Sequence, residues 1–161
     1  MEAAIMKKEQ IIDHYESFKL WLNELKRIND KEWFQPMEES KWSIAANVSH
    51  MIKWDQYSLV EILPNVSEGA QLSPFPDFQR FNGEAAEYAH DVVNKEALIE
   101  EGIKTRESII AYVSSLSDDD LQHSFLVGDQ SFTLEEFFED FIGHDKHHQE
   151  QIEEVVSAEI T

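Results

Sequence analysis

Apolar residues recur at three- and four-residue intervals in four stretches of this 161-residue chain, and that spacing is typical of amphipathic helices. The stretches cover roughly residues 8–28, 43–63, 95–115 and 133 to beyond 156, and Pro64 stops the second. The positions expected to face the core are Ile11, Tyr15, Phe18, Leu22 and Leu25 in the first helix, Ile44, Val48, Met51, Leu59 and Ile62 in the second, and Leu98, Ile109, Tyr112, Val113 and Leu116 in the third.

Three of the four helices have a recognisable start. Ser43 and Asn94 are residues that cap helix N-termini, because their side-chain oxygens accept from the free amides of the first turn. Thr133 and Glu136 form the spacing of a capping box, in which each side chain binds the other residue's amide. These signals predict helices that begin at residues 44, 95 and 134.

The segments between the helices are of unequal length. Residues 65–83 contain Pro74, Pro76, Gly69 and Gly83 and predict a long crossover loop, whereas residues 84–93 favour a further helical piece and residues 125–132 a short hairpin around Gly128. We therefore predict an all-α protein, an up-and-down four-helix bundle with one long crossover loop. Residues 1–161 are expected to form a single domain.

Composition narrows the classes of partner. Hydrophobic residues make up 42% of the chain, enough to form a core rather than a disordered chain. The 33 Asp and Glu residues outnumber the 13 Lys and Arg residues and give a formal net charge of -20. Such a surface repels phosphate backbones and anionic lipids. We expect neither nucleic acid nor a membrane as a partner.

The chain has no cysteine, which excludes disulfides, thiolate metal sites and cysteine nucleophiles. Residues 1–10 do not resemble a secretory signal, and no stretch approaches the roughly 18 apolar residues that span a bilayer. We expect a cytoplasmic protein.

The sharpest chemical signal is the pair His144 and His148 on the last helix. Residues four apart differ by about 40° in azimuth, so both imidazoles can reach one metal ion. His147 is expected to face solvent. A third ligand is needed, and the candidates are His14, His50, His90 and His123. Periodicity alone favours His50 as a boundary histidine that is hydrogen-bonded to a neighbour.

Two motifs change that interpretation of His50. The run Trp42-Ser43-Ile44-Ala45-Ala46-Asn47-Val48-Ser49-His50 and the later run His144-Asp145-Lys146-His147-His148-Gln149-Glu150-Gln151-Ile152 together resemble the DinB-like superfamily of DinB and YfiT-type proteins. The resemblance implies a four-helix bundle that binds a metal ion through three histidines, one on the second helix and two on the last. Carried over to this chain, those ligands are His50, His144 and His148.

The resemblance also implies a metal-dependent enzyme that acts on small molecules, either a low-molecular-weight thiol S-transferase or a hydrolase, and a homodimer. Three imidazoles suit zinc or nickel, and three protein ligands leave coordination positions open for chemistry. Candidates for the general base are Asp145, Asp55 and His147. The alternative, which we favour, is that both aspartates accept hydrogen bonds from ligand imidazoles.

Two other functions are compatible with the sequence. The first is a stress-response protein that binds metal without turnover. The second is a structural bundle that contacts other proteins through a set of aromatic residues, namely Trp33, Phe34, Phe75 and Phe78.

Overall fold

The structure, a computed structural model, describes residues 2–37 and 42–160. Its helices are α1 (Glu2–Glu24), α2 (Asp30–Phe34), α3 (Ile44–Tyr57), α4 (Phe78–Glu87), α5 (Lys95–Ser114) and α6 (Leu134–Ile160), and its strands are β1 (Ala70–Leu72), β2 (Ser124–Val127) and β3 (Gln130–Thr133). A π-helical turn continues α3 through Ser58–Ile62 and another continues α4 through Tyr88–Val92. The predicted helical character is confirmed.

The predicted caps define the starts of three helices. The Ser43 side chain accepts from the Ala46 amide at 3.0 Å, and the Asn94 side chain accepts from the Ala97 amide at 2.8 Å. Thr133 and Glu136 form the reciprocal capping box, with distances of 2.8 and 3.1 Å. Helices α3, α5 and α6 accordingly begin at residues 44, 95 and 134.

The four long helices pack so that α1 and α3 each contact both α5 and α6. The five apolar positions predicted for the first helix are all buried, whereas Leu59, Tyr112 and Leu116 are only half-buried. Gly102 lets α5 approach its neighbours closely, because a Cβ there would lie 2.6 Å from Ile52 Cδ1 and 3.2 Å from Leu22 Cδ1. The close contact of α5 with α1 and α3 places the middle of α5 in the centre of the bundle.

A three-stranded sheet accompanies the helices and was not part of the all-α prediction. The predicted hairpin is present as β2 and β3, which pair antiparallel, and β1 adds in parallel to β2 with Ala70 opposite Phe125. Residues 65–83 are therefore not one long loop, since they include β1 and the first turn of α4, capped by Asp77. A three-residue strand is too short for a periodic pattern. The up-and-down path with one crossover stays a prediction.

The aromatic residues proposed as a contact surface do not form one. Trp33 is completely buried in the core, and Phe34 is half-buried against that core. Phe78 is 56% exposed, and Phe75 lies near it with ring centroids 6.3 Å apart. The predicted role of Trp33 is therefore wrong, because its position on the short helix α2 turns its ring inward.

None of the helices within residues 2–37 and 42–160 combines the length and the apolar composition that crossing a bilayer requires.

Candidate metal centre

Three imidazoles from two distant parts of the chain meet between α3 and α6. The Nε2 atom of His144 lies 3.2 Å from Nε2 of His50 and 3.1 Å from Nε2 of His148. One nitrogen of each of the three rings lies within 4.8 Å of the other two. The structure thus brings together the three histidines that the sequence singled out.

A chain of hydrogen bonds determines which nitrogen of His50 is free. The indole N–H of Trp54 points at the Asn82 side-chain Oδ1 at 2.8 Å, and because indole can only donate, that atom must be the oxygen. The Nδ1 atom of His50 lies 2.8 Å from the same oxygen and must therefore carry the proton. The Nε2 atom of His50 consequently presents a lone pair to the other two histidines.

His148 is held in the same way. Its Nδ1 lies 3.0 Å from the Gln151 Oε1, and with the amide in this orientation Nδ1 donates and Nε2 is the acceptor. A neutral His144 can donate one Nε2 proton to only one of its two neighbours. At least one of the two short contacts then joins two lone pairs, an arrangement that a shared cation stabilises.

The separations suit a metal ion. Two nitrogens bound at about 2.0–2.1 Å to one ion lie roughly 2.8–3.4 Å apart for coordination angles between a right angle and the tetrahedral angle. The separations of His144 Nε2 from the Nε2 atoms of His148 and His50, 3.1 and 3.2 Å, fall inside that interval. The donor set therefore fits the divalent transition metal that the resemblance implies.

Burial keeps these imidazoles neutral. It lowers the pKa of His50 to about 4 and that of His148 to about 4, and the neighbouring His144 contributes to both shifts. Burial also lowers the pKa of His144. All three rings are therefore neutral at physiological pH, which is the form that binds metal.

The remaining candidate ligands lie elsewhere. The Nε2 atom of His14 contacts the Asp145 Oδ2 at 2.8 Å, and His90 contacts the Ser43 side chain at 2.7 Å. His123 is half-buried directly before β2. His147 is exposed on α6, as predicted.

Asp55 and Asp145 form a buried ion-pair network around Arg106. The Arg106 Nε donates to Asp55 Oδ2 at 2.6 Å, and its two terminal nitrogens donate to the two Asp145 oxygens at 2.8 and 2.9 Å. Neither carboxylate has a hydrogen bond to a ligand imidazole among the residues that the structure describes. The expectation that both aspartates orient those imidazoles is wrong, because Asn82 and Gln151 hold that position instead.

The network joins all four long helices. Arg106 is fully buried on α5, Asp55 lies on α3, and Asp145 lies on α6. The guanidinium carbon also lies 4.5 Å from the ring centroid of Tyr15 and 3.8 Å from that of Phe18, both on α1.

The two carboxyl groups are not equivalent. Burial raises the pKa of Asp55 to about 7 against the opposing effect of Arg106. Burial would also raise the pKa of Asp145, but the guanidinium of Arg106 and the hydrogen bond with His14 hold it below its ordinary value.

A cavity of about 380 Å³ opens beside the histidines, and His50 and His144 form part of its wall. The polar side chains of Asn82, Gln130 and Asp140 also line it. The rest of the wall is aromatic, and consists of Trp54, Phe75, Phe78, Phe132, Phe137 and Phe141. A cavity of this size is in the range of small-molecule sites.

Comparison with known proteins finds a matching family model and a similar solved structure. The family model of the DinB superfamily matches residues 14–152, which include all three histidines. The chain belongs to the DinB superfamily. The solved structure of YfiT from Bacillus subtilis, described as a probable metal-dependent hydrolase with an unusual four-helix bundle topology, matches with a TM-score of 0.80 and 17% identity. The match covers 94% of this chain and 86% of YfiT. No curated protein sequence matches the chain.

This member of the DinB superfamily thus has a mostly helical fold like the YfiT bundle, with a small sheet in addition. The sequence analysis did not identify four residues that support the site or line the cavity, namely Asn82, Gln151, Asp140 and Arg106. Asp140 and His144 share a helix face at a spacing of four residues, which was a usable signal. Asn82 had none, because it lies in residues 65–83, which were predicted as a crossover loop and not as part of a helix.

We expect Asn82→Ala to weaken metal binding by this DinB-superfamily protein. Without the amide oxygen, His50 loses the acceptor that fixes its tautomer and ring orientation. The loss of such a partner costs about 10–100-fold in metal affinity. Competition with a chromophoric chelator measures the change, and Asn82→Asp, which keeps an acceptor oxygen, is the matched control. Equal affinity of Asn82→Ala and the parent protein would show that the ring needs no such support.

Proposed function

We propose that this protein is a metal-dependent enzyme that acts on small molecules, with His50, His144 and His148 as the ligands of a divalent ion, zinc or nickel. The proposal rests on one observation, which is that the three-histidine cluster lies at the wall of the cavity. Two of the three imidazoles line the 380 Å³ cavity, and the three nitrogens converge beside it. A substrate in the cavity would therefore be next to the metal.

The donor set favours chemistry over a purely structural role. Structural zinc sites are usually closed by four protein ligands. Among the described residues no fourth histidine, aspartate or glutamate joins the cluster. A bound metal would lower the pKa of a coordinated water or thiol and so supply a nucleophile at neutral pH.

Other side chains of the protein hold the histidine rings in place and orient them. Asn82 and Gln151 fix the protonated nitrogens of His50 and His148. Asp55 and Asp145, two of the candidate general bases, are committed to Arg106 and do not line the cavity. We assign them to the support of the bundle. His147, the third candidate, is exposed and does not line the cavity either.

Two reactions fit this site. In hydrolysis, a bond forms between the water oxygen and the substrate carbonyl carbon, the bond to the leaving nitrogen or oxygen breaks, and the proton from water ends on the leaving group. The description of YfiT as a probable metal-dependent hydrolase supports this reaction. In thiol transfer, a sulfur–carbon bond forms, the bond to the leaving group breaks, and the thiol proton leaves with it. The apolar wall of the cavity suits hydrophobic electrophiles and therefore supports thiol transfer.

The remaining expectations are part of the proposal. The net charge of -20 supports a small-molecule substrate over nucleic acid or an anionic membrane. We also propose that the chain forms a single domain, is located in the cytoplasm and assembles as a homodimer.

Protein purified without nickel resin tests the proposal. We expect about one divalent ion per chain by elemental analysis, which a chelator removes. We also expect turnover in a panel of small amides, small esters and thiol-plus-electrophile pairs, lost on chelation and restored by the metal. If the protein contains metal but shows no metal-dependent turnover, the proposal is wrong and the protein is a non-catalytic, stress-response metal-binding protein. Protein that neither contains nor takes up metal would leave a structural bundle.

A further inference from the structure

Trp54 belongs both to the wall of the cavity and to the support of His50. It is buried on α3 and lines the cavity beside the histidines. It follows His50 by four residues, so the two side chains lie on the same face of the helix. The Phe81 ring packs against the indole, with the two ring centroids 4.1 Å apart, and the indole N–H points at Oδ1 of Asn82 at 2.8 Å. The packed ring gives this N–H a fixed direction.

The indole N–H determines which way the Asn82 amide faces. The same atom of that amide contacts the Trp54 N–H and the His50 Nδ1, both at 2.8 Å. His50 alone would accept either orientation of the amide, because a neutral imidazole nitrogen can donate to an oxygen or accept from an NH₂ group. Indole can only donate, so an amide rotated by half a turn would place two donors against each other at a buried position. Trp54 therefore excludes the rotated amide.

Rotation of the amide would change the tautomer of His50. The NH₂ group would then donate to Nδ1, and the ring proton would move to Nε2. That nitrogen is the one that faces the other two histidines, 3.2 Å from Nε2 of His144. A protonated Nε2 has no lone pair for a metal ion. The orientation of one amide thus decides whether His50 can be a ligand.

We propose that Trp54 is a positioning residue of the metal centre, whose indole N–H holds the Asn82 amide so that Nε2 of His50 keeps its lone pair free. Its importance for metal binding rests on the proposed function. Its effect on the tautomer of His50 does not, because the hydrogen bonds that determine the tautomer join protein groups alone.

The size of the effect follows from the populations of the two amide orientations. Without the indole N–H, each orientation still makes one hydrogen bond between Asn82 and His50. If the two have similar energies, about half of the metal-free molecules hold the tautomer that cannot bind metal. The apparent affinity falls in proportion to the competent fraction, which here is about twofold, and a larger share of the rotated amide lowers it further.

Trp54→Phe tests the proposal, since it keeps an aromatic ring in the wall and removes the N–H. Nitrogen NMR of the metal-free protein, labelled with ¹⁵N-histidine, reports which ring nitrogen carries the proton, and His50→Ala identifies the signals of His50. We expect almost only the Nδ1-protonated tautomer in the parent protein and a mixture of both tautomers in Trp54→Phe. Competition with a chromophoric chelator gives the metal affinity. Its loss should equal the inverse of the Nδ1-protonated fraction.

The Asn82→Asp background provides the matched control. A carboxylate has an acceptor oxygen on both sides, so it cannot present a donor to His50 whichever way it faces. Adding Trp54→Phe to Asn82→Asp should therefore change neither the tautomer of His50 nor the metal affinity. The same indole is replaced by the same phenyl ring in both backgrounds, so a loss confined to the Asn82 background comes from the amide and not from altered packing.

The possible results separate this proposal from the proposed function. An unchanged tautomer in Trp54→Phe, or an equal loss of affinity in both backgrounds, would overturn the role of Trp54 and leave the metal-dependent enzyme untouched. The expected change of tautomer in a protein that takes up no metal would retain the control of His50 by Trp54 and refute the metal-dependent enzyme.

Discussion

We expect Arg106→Met to destabilise the protein by about 3–5 kcal/mol, the cost of removing one partner from a buried ion pair. Methionine fills much of the arginine volume, so the effect comes from charge and not from a cavity. The substitution leaves Asp55 and Asp145 buried without the guanidinium that both of them bind. Urea denaturation followed by circular dichroism measures the free energy of unfolding.

Two controls test whether buried, unpaired charge causes the loss of stability. Arg80→Met removes an exposed arginine that pairs with Glu84, and it should change stability by less than about 1 kcal/mol. Adding Asp55→Asn and Asp145→Asn to Arg106→Met should recover part of the loss, because no buried carboxylate is then unpaired. An Arg106→Met protein as stable as Arg80→Met would mean that water reaches the network.

His144→Ala is expected to reduce metal affinity by more than about 100-fold, since even an orienting partner is worth about 10–100-fold. The Nε2 atom of His144 is the one that lies close to both other ligand nitrogens. His144 is more exposed to solvent than His50, so the fold should tolerate this change better than a substitution of His50. Metal titration with a competing chelator gives the affinity, and thermal unfolding of the metal-free protein checks the fold.

The neighbouring exposed histidine provides the matched control for this experiment. His147→Ala removes an imidazole three residues further along the same helix and should leave the metal affinity unchanged. His148→Ala should behave like His144→Ala. If all three variants retain the metal of the parent protein, the three-histidine centre does not exist.

Local signals in the sequence predicted much of the fold. Ser43, Asn94 and the Thr133–Glu136 pair cap helices at the expected residues, because a cap depends on groups only three residues apart. The buried face of α1 follows from the 3.6-residue period in the same way. Pairing of β1 with β2 joins residues 55 positions apart (Ala70 with Phe125), and no local pattern encodes it.

Part of the site was also predictable, because local spacing along a helix determines which side chains share a face. The spacing of His144 and His148 places both on one face of α6, but periodicity alone favoured a boundary role for His50, and only the family resemblance assigned it to the metal. Asp145 was expected to accept a hydrogen bond from a ligand imidazole. Its main partner, Arg106, lies 39 residues away on α5, where helical periodicity indicates a face and not the residue opposite.

The histidines stand on α3 and α6, whereas Phe78 and Asn82 of α4 and Phe132 of β3 form other walls of the cavity. Substitutions on β3 can therefore change the shape of the cavity while the three histidines stay in place. A chain with this architecture can change what its cavity accepts without altering the three histidines, and a library confined to the β2–β3 hairpin is a rational starting point for redesigning selectivity.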